Sequence, residues 1–291
     1  METTVLGYPR IGARRAAWET LRDAGLTWIP SHADDRYPVP ELGPHAQLRL
    51  AGDKSVREYR EARSLGIETR PVLLGPLSLL LAESAEPGFR PLDRLDSLLD
   101  AYEQLLAELH AAGAQWVQLD EPVLAADRGE EELDGLRQAY KRLGSLRDRP
   151  SLLVSTYCGE IGAALPVLAD SPVEAIGLDF VAGPGNRDAL AAIGGIGGKT
   201  LVAGVVDPRN EWPTDLPAAL SLCTSLLELA GQLTLSTSGA LLPVTPDPRA
   251  ETSQDAARLA VARQKADEVV ALGRWLSGDR VILGRPAERL T

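Results

Sequence analysis

Gln115-Trp116-Val117-Gln118-Leu119-Asp120-Glu121-Pro122 is the stretch on which the fold turns. Trp116 to Leu119 has the length and the aromatic and β-branched bias of a strand, and it stops at two carboxylates held by a proline. Runs of the same kind recur on either side: Thr4-Val5-Leu6, Thr27-Trp28-Ile29, Pro71-Val72-Leu73-Leu74, Leu152-Leu153-Val154, Ala175-Ile176-Gly177-Leu178, Leu201 to Val206 and Leu233-Thr234-Leu235. Between them lie stretches of helical periodicity, clearest in Leu92, Leu95, Leu98, Leu99, Tyr102, Leu105, Leu106 and Leu109. The segment Pro248 to Leu276 repeats the pattern, with Leu259, Ala266, Val269, Val270, Leu272 and Trp275 on one stripe.

Strands this apolar are buried on both faces, as in a parallel sheet covered by helices. Eight of them alternating with helices predict an α/β fold, a (βα)8 TIM barrel. An open doubly wound sheet would place a glycine-rich phosphate loop after its first strand. Here that position reads Gly7-Tyr8-Pro9-Arg10-Ile11-Gly12. The cluster Gly194-Gly195-Ile196-Gly197-Gly198 precedes a strand and reads as a turn on the far side from any ligand, because phosphate cradles form where strand passes to helix. Barrels commonly run to about 250 residues as one unit. With no linker or repeat in its 291 residues, the chain reads as a single domain over 1–291.

Thirty basic against 41 acidic residues leave a net charge of −11. A surface this acidic repels phosphate backbones and anionic leaflets, so neither nucleic acid nor membrane is expected as a partner. Two cysteines, Cys158 and Cys223, build no disulfide framework and no four-cysteine metal site. The first residues lack the basic and apolar regions of a signal peptide, and the longest apolar stretch, Val72 to Ala82, is broken by Gly75, Pro76 and Ser78. The expectation is a soluble, cytoplasmic protein.

A barrel carries its site at the carboxyl ends of its strands. Those ends read Tyr8-Pro9-Arg10, Ser31-His32, Gly75-Pro76, Asp120-Glu121, Ser155-Thr156-Tyr157-Cys158, Asp179, Asp207-Pro208-Arg209-Asn210 and Ser236-Thr237-Ser238. So many polar groups at one mouth predict a small-molecule site. Asp120 and Glu121 are adjacent on a strand end and diverge to opposite faces, so they do not share a proton. Either is a candidate acid, base or binder of a cationic or hydroxylated substrate, the alternative being a salt bridge or a helix cap. Cys158, where strand turns to helix, is a candidate nucleophile or metal ligand. Of the three histidines only His32 is placed to reach the mouth, and a zinc site of His32, Cys158 and Asp179 matches no recognised spacing. Ser155, Thr156, Tyr157, Ser236 and Ser238 are hydroxyls suited to orienting a ligand, with Asp207 or Asn210 beside them. Arg10, Arg14 and Arg15 either face an anionic group or form a solvated face paired with Glu19.

The same segments resemble the amino-terminal half of cobalamin-independent methionine synthase. The resemblance rests on Gly7-Tyr8-Pro9-Arg10-Ile11-Gly12 with Arg14-Arg15, Val72-Leu73-Leu74-Gly75-Pro76, Gln115 to Pro122, Val154-Ser155-Thr156-Tyr157, Gly204-Val205-Val206-Asp207 with Arg209-Asn210, Leu235-Ser236-Thr237-Ser238 and Gln264-Lys265. It implies a place in methionine biosynthesis and one-carbon metabolism: transfer of a methyl group from polyglutamylated methyltetrahydrofolate to homocysteine by two face-to-face barrels. It further implies that the zinc, its thiolate ligands and the homocysteine site belong to the carboxy-terminal barrel, whereas the amino-terminal one helps hold the folate and its tail. The 291 residues account for one barrel.

Two departures stand out against that family. Trp18 occupies the position of a lysine that reaches the folate's glutamates, and Ser31-His32-Ala33-Asp34-Asp35-Arg36 bridges directly a gap that the family fills with a long helical excursion. Both remove cations from a site for a polyanion, at about 1.5 to 3 kcal/mol per charge-assisted contact. Cys158 and Asp179 fall where the sister barrel keeps zinc ligands, but Thr156 and Ser238 replace the other two. Zinc is thus a weak candidate, and no cofactor is expected with assurance. The reading is a methyltransferase-like barrel that works with a separate zinc-bearing barrel. The alternatives are a repurposed single-barrel enzyme on a small amino-acid-like substrate, with Asp120, Glu121, Cys158 and Asp179 doing the chemistry, and a non-catalytic ligand-binding scaffold.

Overall fold

Each apolar run becomes a parallel strand, and each periodic stretch a helix laid over it. In the computed structural model, residues 1–7, 14–31, 53–81, 90–241 and 253–278 are described; Arg10, His32 and the side chain of Arg14 lie outside the described residues. The strands are β1 (Glu2–Thr3), β2 (Ile29–Pro30), β3 (Thr69–Arg70), β4 (Val72–Leu74), β5 (Trp116–Asp120), β6 (Ser151–Ser155), β7 (Ala175–Asp179), β8 (Thr200–Val206) and β9 (Gln232–Thr237). The helices are α1 (Arg14–Asp23), α2 (Lys54–Ser64), α3 (Pro76–Leu81), α4 (Leu95–Ala111), α5 (Glu130–Gly144), α6 (Ala164–Asp170), α7 (Asn186–Ala192), α8 (Leu216–Leu226) and α9 (Ser253–Leu276).

Seven strands pair in the order β1-β9-β8-β7-β6-β5-β4, and β2 pairs with β3. A parallel bridge between Thr4 and Trp28 ties β1 to β2. Since β3 and β4 are two halves of one stave, the ring closes with eight staves. The run at 71–74 is therefore longer than its apolar residues indicate and is cut by Pro71. A proline has no N–H for the ladder, so Thr69–Arg70 pairs with β2 and Val72–Leu74 with β5, while the Pro71 carbonyl still accepts from Gln118 N at 2.8 Å. The first two strands sit two residues earlier and about two later than their apolar runs, because pairing to β9 and β3 sets their extent.

Alternation divides each strand between two cores. Val117, Leu119, Val154, Ile176, Leu178 and Leu235 face outward and join Leu99, Leu106, Leu136 and Leu143 of the helices in one buried cluster. Leu6, Leu153, Ala175 and Val202 face inward and form a separate small cluster, against which Trp116 and Tyr157 pack. The outer layer supplies most of the stability, at about 1.5–3 kcal/mol per fully buried aliphatic or aromatic side chain. At the amino-terminal end the interior is closed by the edge-to-face pair Trp28–Trp116, with ring centroids 6.2 Å apart.

Two helical expectations shift and one holds. Leu92 lies in a 3-10 turn, Pro91–Arg94, ahead of α4. Trp275, placed on the buried stripe by periodicity, is 48% exposed in the last turn of α9. His110 lies on the exposed face of α4 as the pattern required. The glycine cluster forms the turn from α7 to β8, where Gly194 and Gly195 take φ of 77° and 83°, values that favour glycine.

Candidate binding site at the barrel mouth

The end of β5 sends its two carboxylates in opposite directions. Glu121 turns outward to the helix layer, where Oε1 accepts from Leu77 N at 3.0 Å and from Tyr140 Oη at 2.8 Å, and Oε2 accepts from Ser78 N at 2.6 Å. It thereby caps the amino-terminal turn of α3 from a neighbouring stave. Gly75 makes room for it, for any side chain there would overlap the Glu121 carboxyl group. Burial raises the Glu121 carboxyl above the usual range, with these hydrogen bonds opposing the rise. Of the two uses open to this residue from sequence, the structure displays the cap.

Asp120 turns into the barrel. Its Oδ1 accepts from Gln118 Nε2 at 2.6 Å, and the same amide nitrogen donates to Leu6 O at 3.0 Å. Beneath it lies Arg70, 3% exposed, whose Nη2 donates to Thr4 Oγ1 at 3.2 Å and to Val5 O at 3.4 Å. Burial pushes the Asp120 carboxyl up to about 7, opposed by the Gln118 hydrogen bond and the Arg70 charge and reinforced by Glu121. Burial also brings Arg70 down to about 10. A carboxylate poised near neutrality at a strand end is suited to exchanging a proton or holding a cation.

On β6, Ser155 is buried and directed inward, whereas Thr156 Oγ1 donates to Gly177 O at 2.7 Å and so ties β6 to β7. Tyr157 is half-buried against the inner apolar cluster. Cys158 is exposed at a φ of 75°, strained for a side chain with a Cβ, and its Sγ lies 3.4 Å from Arg209 Nη2. Asp179 is 2% exposed and accepts three main-chain hydrogen bonds, from Val181 N and Ala182 N at 2.8 Å and from Cys158 N at 3.1 Å. It organises the two loops beside it. Asn186 adds to this, accepting from Ile161 N and donating to Gly159 O and Asp179 O.

On the β8 side, Asp207 accepts from Arg209 N at 2.9 Å and Asn210 accepts from Trp212 N at 3.0 Å, so both shape their own loop. Ser236 is buried and inward on β9, and Ser238 N closes back on Val206 O at 2.8 Å. Arg15 pairs with Glu19 at 2.9 Å on an exposed face of α1. Trp18 is fully buried and donates its indole N–H to Ser31 O at 2.8 Å.

The mouth thus unites Asp120, Ser155 and Ser236, with Tyr157, Cys158 and Asp207 around it, and turns Glu121 and Arg15 elsewhere. Two inward residues escaped notice in the sequence, Arg70 and Gln118. Parity was the available signal: Gln118 stands two before Asp120 in an otherwise apolar run, and two-residue spacing puts both on one face. Lys265 also gained meaning. It is fully buried on α9 and donates to Trp212 O at 2.6 Å and to Glu268 at 3.1 Å.

Zinc fits poorly here. Both oxygens of Asp179 are taken up by main-chain donors, the Thr156 hydroxyl is committed to Gly177, and among the described residues no group of three or more His, Cys, Asp or Glu could hold a metal ion. Among the described residues no helix is long and apolar enough to cross a membrane.

Residues 32–231 match the model of the cobalamin-independent synthase N-terminal domain. The 5-methyltetrahydropteroyltriglutamate–homocysteine methyltransferase of Streptomyces avermitilis is 50% identical over 248 residues, 82% of this chain and 32% of that protein. The same-named protein of Streptomyces coelicolor is 48% identical over 260 residues, 86% of this chain and 34% of that one. The chain spans about a third of the length of the curated relatives it matches. Among solved structures, a B12-independent methionine synthase from Shewanella sp. W3-18-1 superposes with a TM-score of 0.66 at 14% identity, covering 94% of this chain and 98% of that one. That likeness supports the barrel fold. By its sequence match, the chain belongs to the family of cobalamin-independent synthase N-terminal domains.

Proposed function

We propose that this barrel serves methyl transfer from methyltetrahydropteroylpolyglutamate to homocysteine as the non-zinc partner of a zinc-bearing barrel outside these 291 residues. The observation that carries the reading is near-50% identity over four-fifths of the chain to methyltransferases named for that reaction. The mouth offers hydrogen-bonding groups on rigid strand ends but no metal-ligand set among the described residues. In this reading the chain's own residues bind and orient, and the methyl-accepting thiol is activated elsewhere. Zinc, where the partner barrel holds it, supplies the Lewis acidity for that thiol.

The buried Trp18 marks how grip on the folate tail would differ, since an indole donating to a backbone carbonyl attracts no carboxylate. Tail length should therefore matter little to affinity. The test mixes the purified chain with a zinc-bearing barrel lacking its own amino-terminal half, in the presence of methyltetrahydropteroyltriglutamate and homocysteine. Methionine should form only in the mixture, and calorimetry should show folate binding to this chain. Absence of both would reject the proposal.

A second reading, an enzyme acting alone on a small amino-acid-like substrate, is favoured by one feature, the buried Asp120 carboxyl held near neutrality at the mouth. It requires turnover by the chain without any partner, and loss of that turnover in Asp120→Ala.

A further inference from the structure

The inner layer just below a barrel's mouth is ordinarily filled by bulky branched side chains. Here the inward positions near the mouth include Asp120, Ser155 and Gly177, which are register neighbours, and two residues further along their own strands Gly204 and Ser236, which pair with each other. At Gly204 the backbone of Ser238 takes the space, 2.6 Å from where a Cβ would stand. At Gly177 the nearest group is the Ser155 hydroxyl, 3.1 Å from the corresponding point. Four of these five positions are serine or glycine, while the half-buried Leu74 stands beside Asp120 in register.

The polar atoms of this layer are left over in an unusual way. Native interiors pair nearly all their buried polar groups, and each exception calls for an explanation. Seven buried side-chain atoms among the described residues have no hydrogen-bond partner, and four of them, Ser155 Oγ, Ser236 Oγ, Gln118 Oε1 and Arg70 Nε, belong to inward residues of the barrel. Both serines are 0% exposed, and Asp120 is 6% exposed. Gln118 Oε1 accepts hydrogen bonds, each serine hydroxyl can accept as well as donate, and the inward Asp120 carboxylate accepts too. The nearby charges are Arg70, Asp120 and Glu121, one positive and two negative when ionised. Arg70 spends its hydrogen bonds on Thr4 and Val5 rather than on Asp120. A ligand group that completes such a set carries several N–H donors and a positive charge.

We propose that Asp120, Ser155 and Ser236, with Gln118 beneath them, form a subsite for the protonated primary amine of a small ligand inside the mouth of this barrel. The subsite is independent of folate binding and of any partner barrel, so it stands or falls separately from the methyl-transfer reading. Its probes are ethanolamine and L-alanine, each matched with the molecule in which hydroxyl replaces amine, ethylene glycol and L-lactate.

Titration followed by amide chemical shifts should move the signals of Ser155, Gly177 and Ser236 with the two amines, and bind the hydroxyl analogues at least about tenfold more weakly, the discrimination expected of one buried charge-assisted contact. Asp120→Asn should reduce amine affinity by about tenfold or more. Ser236→Val, which fills the wall without touching the carboxylate, should abolish binding while the rest of the spectrum stays that of the folded protein. Equal binding of amine and hydroxyl analogues would overturn the proposal. So would amine binding that survives both variants, or failure of either amine to bind the unmodified chain.

Discussion

At the scale of single residues, the carboxylates of β5 show how neighbours in sequence acquire unlike roles through the pleat. Asp120 is held at a cost to the fold. Burial raises its carboxyl to about 7 in the folded state, against about 3.9 for an ordinary aspartate. The folded state therefore keeps its proton over a range in which the unfolded chain releases it. The stability this proton confers is complete below about pH 4 and lost as pH rises through 7. Asp120→Asn should accordingly gain on the unmodified protein between pH 4 and 7 and level off above, by an amount on the order of 2–4 kcal/mol. Denaturant unfolding across that pH range checks it, and a gap that shrinks with rising pH would contradict it. Glu121→Gln points the other way. It removes the charge that caps α3 and turns an amide N–H₂ toward donors, for a loss of about 1–3 kcal/mol. Its midpoint in urea should fall while Asp120→Asn rises. That Asp120 and Glu121 diverge was legible from period-two alternation; which of them would be the cap was not, because the donors come from α3 and α5, 19 to 44 residues away.

Among elements, α9 and the loop after β8 form one mechanical unit. Lys265, 0% exposed, holds the Trp212 carbonyl, while Glu268 accepts from Thr214 N, Thr214 Oγ1 and Gln264 Nε2. A buried pair of this kind contributes little net stability but is costly to break on one side. Lys265→Met should lose about 3–5 kcal/mol by leaving Glu268 unpaired, and Lys265→Met with Glu268→Leu should recover most of it. Limited proteolysis supplies a second readout, because the single variant removes the Trp212 contact on residues 207–214 and the double variant removes the Thr214 contacts as well. Both variants should be cut there faster than the unmodified chain. The motif Gln264-Lys265 stood out in the sequence, yet its periodicity spoke only of a helix. The partner of Lys265 is a backbone carbonyl 53 residues away, which no side-chain pattern reports.

For the whole molecule, closure of the ring decides where the candidate site lies. Every polar strand end converges because eight parallel staves share one direction. The metal question belongs at this scale, since a ligand set must come from several staves at once. Asp179 and Thr156 are committed to main-chain groups, so the purified chain should carry substoichiometric zinc by elemental analysis. Cys158→Ser should change neither that content nor the unfolding midpoint by more than about 0.5 kcal/mol, as for an exposed surface substitution. Sequence by itself determined the alternation of strand and helix, the barrel class, the family and the face that carries polar groups, for these rest on local periodicity and on motifs read residue by residue. Only the tertiary structure decided that Pro71 splits one stave, that Trp18 and Arg70 are buried, that Glu121 and Asp179 serve the backbone, and that the unpaired Ser155 hydroxyl stands on the strand beside Asp120. Each of these depends on which groups meet across the barrel, and such meetings are fixed by register and closure rather than by neighbours along the chain.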